Sequence, residues 1–211
     1  MTRIRNEQED FWSGSFGSEY TKRNMGSELE AMSLRLLGIE MRSVAPDIKS
    51  AIEFGANRGL NLKSLSYLYP NALLSAVEIN LEAVELLRKI GNIDVYAESF
   101  LEFKPTQVYD LVVVSGVLIH TNPASLPDAY RCMATSSSKY VLISEYYSPT
   151  PQSILYRGHE NKLFKRDFAG EFLNLYPEFK IIDYGFHYKG AFTQGNDQTW
   201  FLLEKINNKN V

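Results

Sequence analysis

Residues 49–65 combine an acidic side chain with two glycines four positions apart, a combination that can hold a polar ligand. A short apolar run ends at Glu53, Gly55 and Gly59 follow, and leucines with helical spacing come next. The pattern predicts a strand, a tight turn and a helix. Because the glycines permit backbone conformations that a Cβ atom would obstruct, a ligand can lie against the turn. This stretch is therefore the first candidate binding site.

The residues of this turn argue against a dinucleotide ligand. The dinucleotide fingerprint requires Gly-x-Gly-x-x-Gly, and Asn57 and Leu60 occupy its second and third glycine positions. An acid at the strand end, Glu53, repels a phosphate. The same acid suits a ligand that carries an ammonium and a sulfonium, as S-adenosylmethionine does. The turn therefore predicts S-adenosylmethionine as the cofactor.

Residues 53–59, with the sequence EFGANRG, resemble motif I of the class I S-adenosylmethionine-dependent methyltransferases. The usual pattern of that motif is acid-x-Gly-x-Gly-x-Gly, and Asn57 stands in place of the middle glycine. The resemblance implies that the cofactor contacts this turn. The cofactor-binding residues predicted here are Glu53, Gly55, Asn57 and Gly59.

A second acid, Glu78, ends the next predicted strand, residues 72–78. An acid at the end of the second strand, roughly 20 residues beyond a glycine turn, can accept hydrogen bonds from both hydroxyls of a ribose. The alternative is a solvent-facing cap of the helix predicted over residues 81–87. The coincidence of strand, acid and spacing favours the ribose role.

The same resemblance implies further contacts after the third and fourth strands. Class I methyltransferases commonly place an acidic or polar residue near the adenine amino group, and Glu98 and Ser99 are both candidates. The exit of the fourth strand begins at Ser115 and resembles the segment beneath the methionine portion of the cofactor. His120 follows, and it is either catalytic or a hydrogen-bonded structural residue. The structural interpretation is the commoner one for a histidine at this position.

The N-terminal residues 11–24 mix aromatic and small side chains and do not predict a clean helix. They form either a lid or an arm that its aromatic rings hold against the core. In a lid, Trp12 and Tyr20 close over the ligand and Arg23 is available to a carboxylate. An amphipathic helix is predicted to follow over residues 27–44.

Residues 145–162, after the fifth predicted strand, are rich in tyrosine, arginine, histidine and glutamate, which are poor core material. This loop leaves the sheet at the same edge as the glycine turn, so we expect it to bind the acceptor. We predict that His159 or Tyr146 accepts a proton, with Glu160 orienting the imidazole. The predicted substrate-binding residues are Trp12, Tyr147, Arg157 and Glu160, with Arg157 holding a sugar carboxylate or a nucleotide phosphate.

Strands and helices alternate over residues 49–205, and two consecutive strands end the pattern. This order predicts an α/β fold. It resembles the Rossmann-like, seven-stranded sheet of class I methyltransferases, with helices on both faces and an antiparallel last strand. We expect a single domain, in which residues 1–46 form an N-terminal lid and helical segment and residues 47–205 form the core.

The composition excludes several classes of protein. The chain has 211 residues, 45% hydrophobic and 22% charged, as in an ordinary soluble globular domain. Because the chain contains 22 basic and 25 acidic residues, its composition does not indicate a basic surface for a nucleic-acid backbone. Cys132 has no partner for a disulfide, no apolar segment approaches the roughly 20 residues of a membrane helix, and no His/Cys cluster indicates a metal. We expect a cytoplasmic protein without membrane insertion.

Two longer blocks, residues 11–24 and 156–170, resemble distinctive segments of the pseudaminic acid biosynthesis-associated methyltransferases. Residues 183–186 and 197–205 extend the similarity. The resemblance implies methyl transfer to oxygen or nitrogen of a small polar acceptor, a nonulosonic sugar or nucleotide-sugar intermediate of surface glycan biosynthesis. The alternatives are a non-catalytic cofactor-binding partner or regulator in a glycan pathway, and a protein or lipid methyltransferase.

Overall fold

The sheet that the strand–helix alternation predicts is present in a computed structural model, which describes residues 4–191 and 196–206. The strands are β1 (Ser50–Phe54), β2 (Leu73–Val77), β3 (Ile93–Tyr96), β4 (Tyr109–Ser115), β5 (Ser137–Glu145), β6 (Gln152–Tyr156), β7 (His159–Lys165), β8 (Phe179–His187) and β9 (Gln198–Lys205). Seven of them form one sheet in the order β3-β2-β1-β4-β5-β9-β8. β1 to β5 pair in parallel, whereas β9 is antiparallel to β5 and to β8. The predicted seven-stranded fold with an antiparallel last strand is thus confirmed.

The helices cover both faces of this sheet. They are α1 (Glu7–Ser13), α2 (Ser15–Arg23), α3 (Ser27–Glu40), α4 (Leu60–Leu68), α5 (Leu81–Ile90), α6 (Leu126–Ser136) and α7 (Phe168–Leu175). α3 ends four residues before the predicted boundary at residue 44. None of the helices in the described ranges is long and apolar enough to cross a bilayer.

The central strand β4 contributes apolar side chains to the cores on both faces of the sheet. Val112 and Val114 pack in one apolar cluster with α6 and α7, whereas Leu111 and Val113 pack in a second cluster with α3 and α4. Successive side chains of a strand point to opposite faces, so a continuous apolar run serves both cores. The sheet is therefore buried, and its loops at the carboxyl ends of the strands remain free to bind a ligand.

The N-terminal segment is more regular than its sequence predicts, because α1 and α2 occupy most of residues 7–23. The Asn6 side chain accepts hydrogen bonds from the backbone N–H groups of Gln8 and Glu9, and the Glu9 carboxylate accepts one from the Asn6 backbone N–H. This reciprocal cap starts a helix among residues whose aromatic and small side chains show no clear periodicity. Gly14 then separates the two helices.

Residues 152–165 form a hairpin of β6 and β7, where the sequence analysis predicts a loop. The two-residue turn consists of Arg157 and Gly158, both with positive φ, at 49° and 84°. Tight hairpin turns of this kind require positive φ at both central positions and favour Asn-Gly or Asp-Gly. Because the first position here is arginine, the sequence lacks the Asn-Gly or Asp-Gly pair that indicates such a turn.

Gly59 and Gly38 allow a matched test of the packing beside the glycine turn. Gly59 has a φ of +76°, and a Cβ there would lie 2.7 Å from Ile90 Cδ1, whereas nothing lies within 4 Å of a Cβ at Gly38 in α3. Gly59→Ala is expected to lower the free energy of unfolding by about 2–5 kcal/mol, from left-handed strain and overpacking. Gly38→Ala is expected to raise it by about 0.5–1 kcal/mol.

Urea unfolding followed by circular dichroism measures both values. Equal effects of the two alanines on the free energy of unfolding would contradict the role of this packing.

Candidate functional site

A cavity of about 510 Å³ lies beyond the carboxyl ends of β1, β2 and β4. Residues of α1, α2, α3 and the β6–β7 hairpin also line it. In open α/β sheets, ligands bind at this edge, where the loops after parallel strands meet. The cavity therefore lies where the sequence motifs predict a ligand.

The glycine turn after β1 forms one wall of the cavity. Gly55 has a φ of +68°, and a Cβ there would lie 2.6 Å from a Val117 methyl group. Asn57, which takes the place of the motif's middle glycine, also has a positive φ of 47°. Asparagine tolerates this conformation better than most residues. Gly59 does not line the cavity. Its lack of a side chain instead allows the turn to pack closely against α5.

The Asn57 side chain supplies something that a glycine lacks. Its amide nitrogen donates to Thr21 Oγ1 at 2.9 Å, which ties the turn to α2. The Thr21 hydroxyl in turn donates to the Gly17 carbonyl at 3.0 Å and is buried. Asn57, in place of the motif's middle glycine, therefore connects α2 to the glycine turn.

Glu53, at the end of β1, is only 3% exposed and lines the cavity. Its Oε1 accepts a hydrogen bond from the Asn61 side-chain amide at 2.7 Å, whereas Oε2 has no hydrogen-bond partner among the described residues. Burial, together with the nearby Glu78 carboxylate, raises the pKa of Glu53 to about 8. Without a ligand, this carboxyl group is therefore mostly protonated at neutral pH.

Glu78, at the end of β2, is buried and also lines the cavity. Its Oε2 accepts the Asn57 backbone N–H and its Oε1 accepts the Asn80 backbone N–H, both at 2.7 Å. Burial raises the pKa of this carboxyl group, and these hydrogen bonds oppose the rise. Because each carboxylate oxygen has two lone pairs, both oxygens can accept one more hydrogen bond.

Three buried polar atoms without a partner in the described residues belong to side chains that line the cavity: Trp12 Nε1, Glu53 Oε2 and Arg58 Nε. Leaving a buried donor or acceptor unpaired costs about 1–3 kcal/mol, so native structures contain few such atoms. Two donors and one acceptor around a single cavity therefore indicate a polar ligand.

Both candidates for the adenine contact, Glu98 and Ser99, line the cavity. Ser99 is buried, and its hydroxyl donates to Glu9 Oε1 at 2.5 Å. Ser99 thus holds α1 in place, while the half-buried Glu98 lies beside it. Ser115, at the end of β4, also lines the cavity and accepts a hydrogen bond from the Gln198 side chain at 3.3 Å.

Arg23 does not reach the cavity, contrary to its predicted role. Its exposed guanidinium lies 3.8 Å from the Glu19 carboxylate and over the Phe16 ring. Arg58 lines the cavity instead, and its Nη1 donates to the Asn24 carbonyl at 2.6 Å. The sequence analysis does not predict Arg58; its place within the glycine turn is the signal that could have indicated it.

Three residues predicted to bind or activate the acceptor also lie outside the cavity. His159 and Glu160 are exposed at the start of β7, where the His159 ring packs against Phe11 at a centroid distance of 5.0 Å. Tyr147 is 43% exposed and forms a backbone bridge with Arg166. His159 and Glu160 directly follow the tight turn of the hairpin, at its exposed end, whereas Tyr147 precedes the hairpin.

The other predicted residues of this region do meet in the cavity. Trp12, Tyr20, Tyr146 and Arg157 all line it, and Tyr156 joins them from β6. Burial is the main cause that raises the pKa values of Tyr20 and Tyr146, so both phenols stay protonated at neutral pH. This part of the cavity offers aromatic faces, hydroxyl groups and one guanidinium.

His120 also lines the cavity, although the sequence favours a purely structural role for it. Its Nδ1 lies 2.5 Å from the Lys162 carbonyl oxygen, so the predicted hydrogen bond is present. Its ring lies 4.5 Å from the Trp12 ring and 4.9 Å from the Tyr156 ring, between centroids. Burial lowers the pKa of His120 to about 4, so the imidazole is neutral at pH 7.

Helices α1 and α2 close one side of the cavity through polar contacts. The buried Gln8 accepts a hydrogen bond from the Asn122 side chain and donates one to the Asn161 carbonyl, both at 2.9 Å. Glu7 forms an ion pair with the buried Lys162 of β7. Through Glu7 and Gln8, α1 therefore connects the loop after β4 with the hairpin. We call α1 and α2 the lid.

No protein-family model matches the chain, and no curated protein matches its sequence. Its structure is similar to magnesium protoporphyrin IX methyltransferase from Synechocystis PCC 6803 with bound S-adenosylmethionine, at 12% identity over 97% of this chain and 100% of the other, with a TM-score of 0.68. A S-adenosylmethionine-dependent methyltransferase from Leishmania major matches at 16% identity, over 94% and 87% of the two chains, with a TM-score of 0.69.

A third similar structure is 1,6-didemethyltoxoflavin-N1-methyltransferase from Burkholderia thailandensis with bound 1,6-didemethyltoxoflavin and S-adenosylhomocysteine. The identity is 15%, the coverage 95% of this chain and 87% of the other, and the TM-score 0.67. Together these structures show that the chain has the class I methyltransferase fold. None of these comparisons links it to the pseudaminic acid biosynthesis-associated family. Residues 4–191 and 196–206 contain no cluster of side chains able to hold a metal ion.

The contact between Ser99 and Glu9 predicts how firmly the lid is held. Ser99→Ala removes a buried hydrogen bond to a carboxylate, at a cost of about 1–3 kcal/mol. Amide hydrogen exchange in residues 7–23 is therefore expected to be about tenfold faster or more. Ser66→Ala, on the exposed surface of α4, is the matched control and should leave this exchange unchanged. Unchanged exchange in both variants would contradict the tether.

Proposed function

We propose that this protein is a S-adenosylmethionine-dependent methyltransferase that acts on a small polar acceptor. The observation that carries the proposal is the unpartnered, buried Oε2 of Glu53, beside a cavity at the ligand-binding edge of a class I methyltransferase fold. The cavity volume of about 510 Å³ falls within the range of roughly 300–1,000 Å³ found for small-molecule sites.

Each polar group of the cofactor has a matching group on the wall of the cavity. Glu53 Oε2 would accept from the ammonium, and Arg58 Nε would donate to the carboxylate. Glu78 would accept from the ribose hydroxyls. Glu98 or Ser99 would take the adenine amino group. Two of these groups, Glu53 Oε2 and Arg58 Nε, have no hydrogen-bond partner within residues 4–191 and 196–206, so the residues fit the cofactor.

The bound cofactor supplies a methyl carbon that a sulfonium has already activated. The protein's own tasks are therefore to align the acceptor and to exclude water. The lid serves the second task, because its contacts with Ser99, Asn122 and Asn161 cover the cavity.

For the acceptor we propose a sugar or nucleotide sugar with an acidic group, of the nonulosonic type. The wall beside His120 supports this class, because Tyr20, Tyr146 and Tyr156 offer ring faces to sugar C–H groups and hydroxyls to sugar oxygens. Arg157 offers a guanidinium to a carboxylate or a phosphate. Release of S-adenosylhomocysteine during incubation with nine-carbon sugar acids and their nucleotide-activated forms tests the acceptor, and the methylated atom is then located by mass spectrometry.

Glu53→Gln tests the cofactor assignment without disturbing the fold. The glutamine oxygen can still accept from Asn61, while its amide nitrogen replaces the unpartnered Oε2. The variant is expected to bind S-adenosylhomocysteine roughly 10- to 150-fold more weakly in calorimetry, because it loses a charged hydrogen bond. Binding of 5′-methylthioadenosine, which lacks the amino-acid group, should be unchanged.

Glu85→Gln, an exposed change of the same type on α5, is the control and should bind both ligands like the unmodified protein. Absence of S-adenosylhomocysteine binding to the unmodified protein would overturn the proposed function. Binding of the cofactor with no methyl transfer to any acceptor would favour a non-catalytic cofactor-binding protein instead.

The raised pKa of Glu53 predicts that cofactor binding releases a proton. Below pH 8, the ligand-free carboxyl group is mostly protonated, because its pKa is about 8. A bound ammonium favours the carboxylate and lowers that pKa, so affinity is expected to fall as the pH falls from about 8 to about 6. Calorimetry of S-adenosylhomocysteine at pH 7 in phosphate and in Tris should detect the released proton. Glu53→Gln should abolish the release, and proton uptake would contradict the assignment.

A further inference from the structure

We propose that His120 accepts the proton that leaves the acceptor's hydroxyl or amine, and that the Lys162 backbone carbonyl holds the imidazole in the tautomer this requires. The inference rests on the methyl transfer proposed above. It replaces the predicted base, His159, whose ring lies on the outside of the hairpin.

The hydrogen bond at Nδ1 defines the tautomer. A carbonyl oxygen only accepts, so the 2.5 Å contact between Nδ1 and the Lys162 oxygen requires a proton on Nδ1. In the neutral imidazole, Nε2 then carries a lone pair. No residue in the described ranges forms a hydrogen bond with Nε2. The side chain, which lines the cavity, therefore has one nitrogen able to accept a proton.

The backbone around His120 is held by a buried carboxylate. His120 ends the short 3-10 helix Leu118–His120, directly beyond β4. Glu145, at the end of β5, accepts the backbone N–H groups of Val117 and Leu118, both at 2.8 Å. Glu145 and the Lys162 carbonyl are thus positioning groups, since they act through His120.

Burial keeps the imidazole neutral before reaction, whereas the neighbouring aromatic rings offset part of the cost of its brief protonation. Trp12 and Tyr156 place their rings within the roughly 6 Å at which an aromatic ring attracts a cation. Arg157 at the hairpin turn lines the same cavity, and Lys162, whose carbonyl meets His120, forms an ion pair with Glu7. The other titratable groups on this part of the wall are Tyr20, Tyr146, Glu9 and Glu98.

The proton balance assigns different tasks to His120 and Tyr146. The acceptor uses a lone pair to bond the methyl carbon while the electrons of the carbon–sulfur bond stay on sulfur, and the acceptor's proton passes to Nε2. His120 later gives this proton to water as the product leaves. Burial raises the pKa of Tyr146, so its phenol stays protonated and can donate a hydrogen bond but not act as the base.

The first test measures the tautomer and needs no acceptor. Nitrogen-15 NMR of histidine-labelled protein, with and without S-adenosylhomocysteine, is expected to show one imidazole with a protonated Nδ1 and a bare Nε2 at pH 7. This signal should stay neutral down to about pH 5, because the pKa of His120 is about 4. His120→Asn removes the signal and His159→Gln does not, which assigns it. A proton on Nε2 of His120, or a charged ring at pH 7, would overturn the proposal.

The second test separates His120 from His159 in turnover. In His120→Asn, the shorter amide retains a donor near the Nδ1 position and lacks the Nε2 acceptor. With the sugar acids of the screen above, this variant is expected to lose roughly 10²- to 10⁴-fold in kcat. Its affinity for S-adenosylhomocysteine and its melting temperature should match the unmodified protein. The corresponding loss in His159→Gln instead would overturn the proposal.

Failure of this inference can be told apart from failure of the proposed function. If S-adenosylhomocysteine does not bind, the proposed function fails whatever the tautomer of His120. If the cofactor binds and methyl transfer proceeds equally well in His120→Asn, only the role of His120 fails.

Discussion

Removing a carboxylate from water is costly unless donors replace the water, and this constraint organises the ligand-binding edge of the sheet. Glu53, Glu78 and Glu145 are all buried at the ends of parallel strands. Glu78 and Glu145 accept backbone N–H groups from the neighbouring loops, so each carboxylate holds a loop in one conformation. One oxygen of Glu53 has no hydrogen-bond partner in the part of the chain that the structure describes. The loops held by Glu78 and Glu145 are therefore fixed, whereas Glu53 can still accept a hydrogen bond from a ligand.

The lid completes this site with polar contacts as well as with the aromatic contacts of Phe11, Trp12 and Phe16. Glu9 meets Ser99 beyond β3, Gln8 meets Asn122 and Asn161, and Asn57 meets Thr21. Each contact joins the lid to a different loop of the sheet edge. Because water can replace the protein partner in each of these hydrogen bonds, the lid can exchange its polar contacts for water when a ligand enters or leaves. A site that must admit two ligands and exclude water needs such a cover.

Features encoded over a few neighbouring residues could be predicted from the sequence. β4 has a continuous apolar run, so its burial on both faces follows from composition alone. Glu53, Gly55 and Asn57 share one turn, and Glu78 stands at a strand end with the spacing of a ribose contact, so their meeting in one cavity follows from the order of strands. Helices α1 and α2 were missed because their residues show no clear apolar periodicity: a capping box starts α1, and α2 follows Gly14 without a side-chain cap.

The sequence by itself determined the sheet, the position of its ligand-binding edge and the acids that stand there, because strand periodicity and turn residues act locally. Only the tertiary structure decided which basic and aromatic side chains reach the cavity. The sequence favours His159 as the base and a structural role for His120, but the fold of β7 along β6 leaves His159 exposed and brings the Lys162 carbonyl to His120. Likewise, Arg23 lies exposed beside Glu19, whereas Arg58 lines the cavity. Which side chains reach the cavity depends on the packing of segments far apart in the chain, and local sequence patterns do not predict that packing.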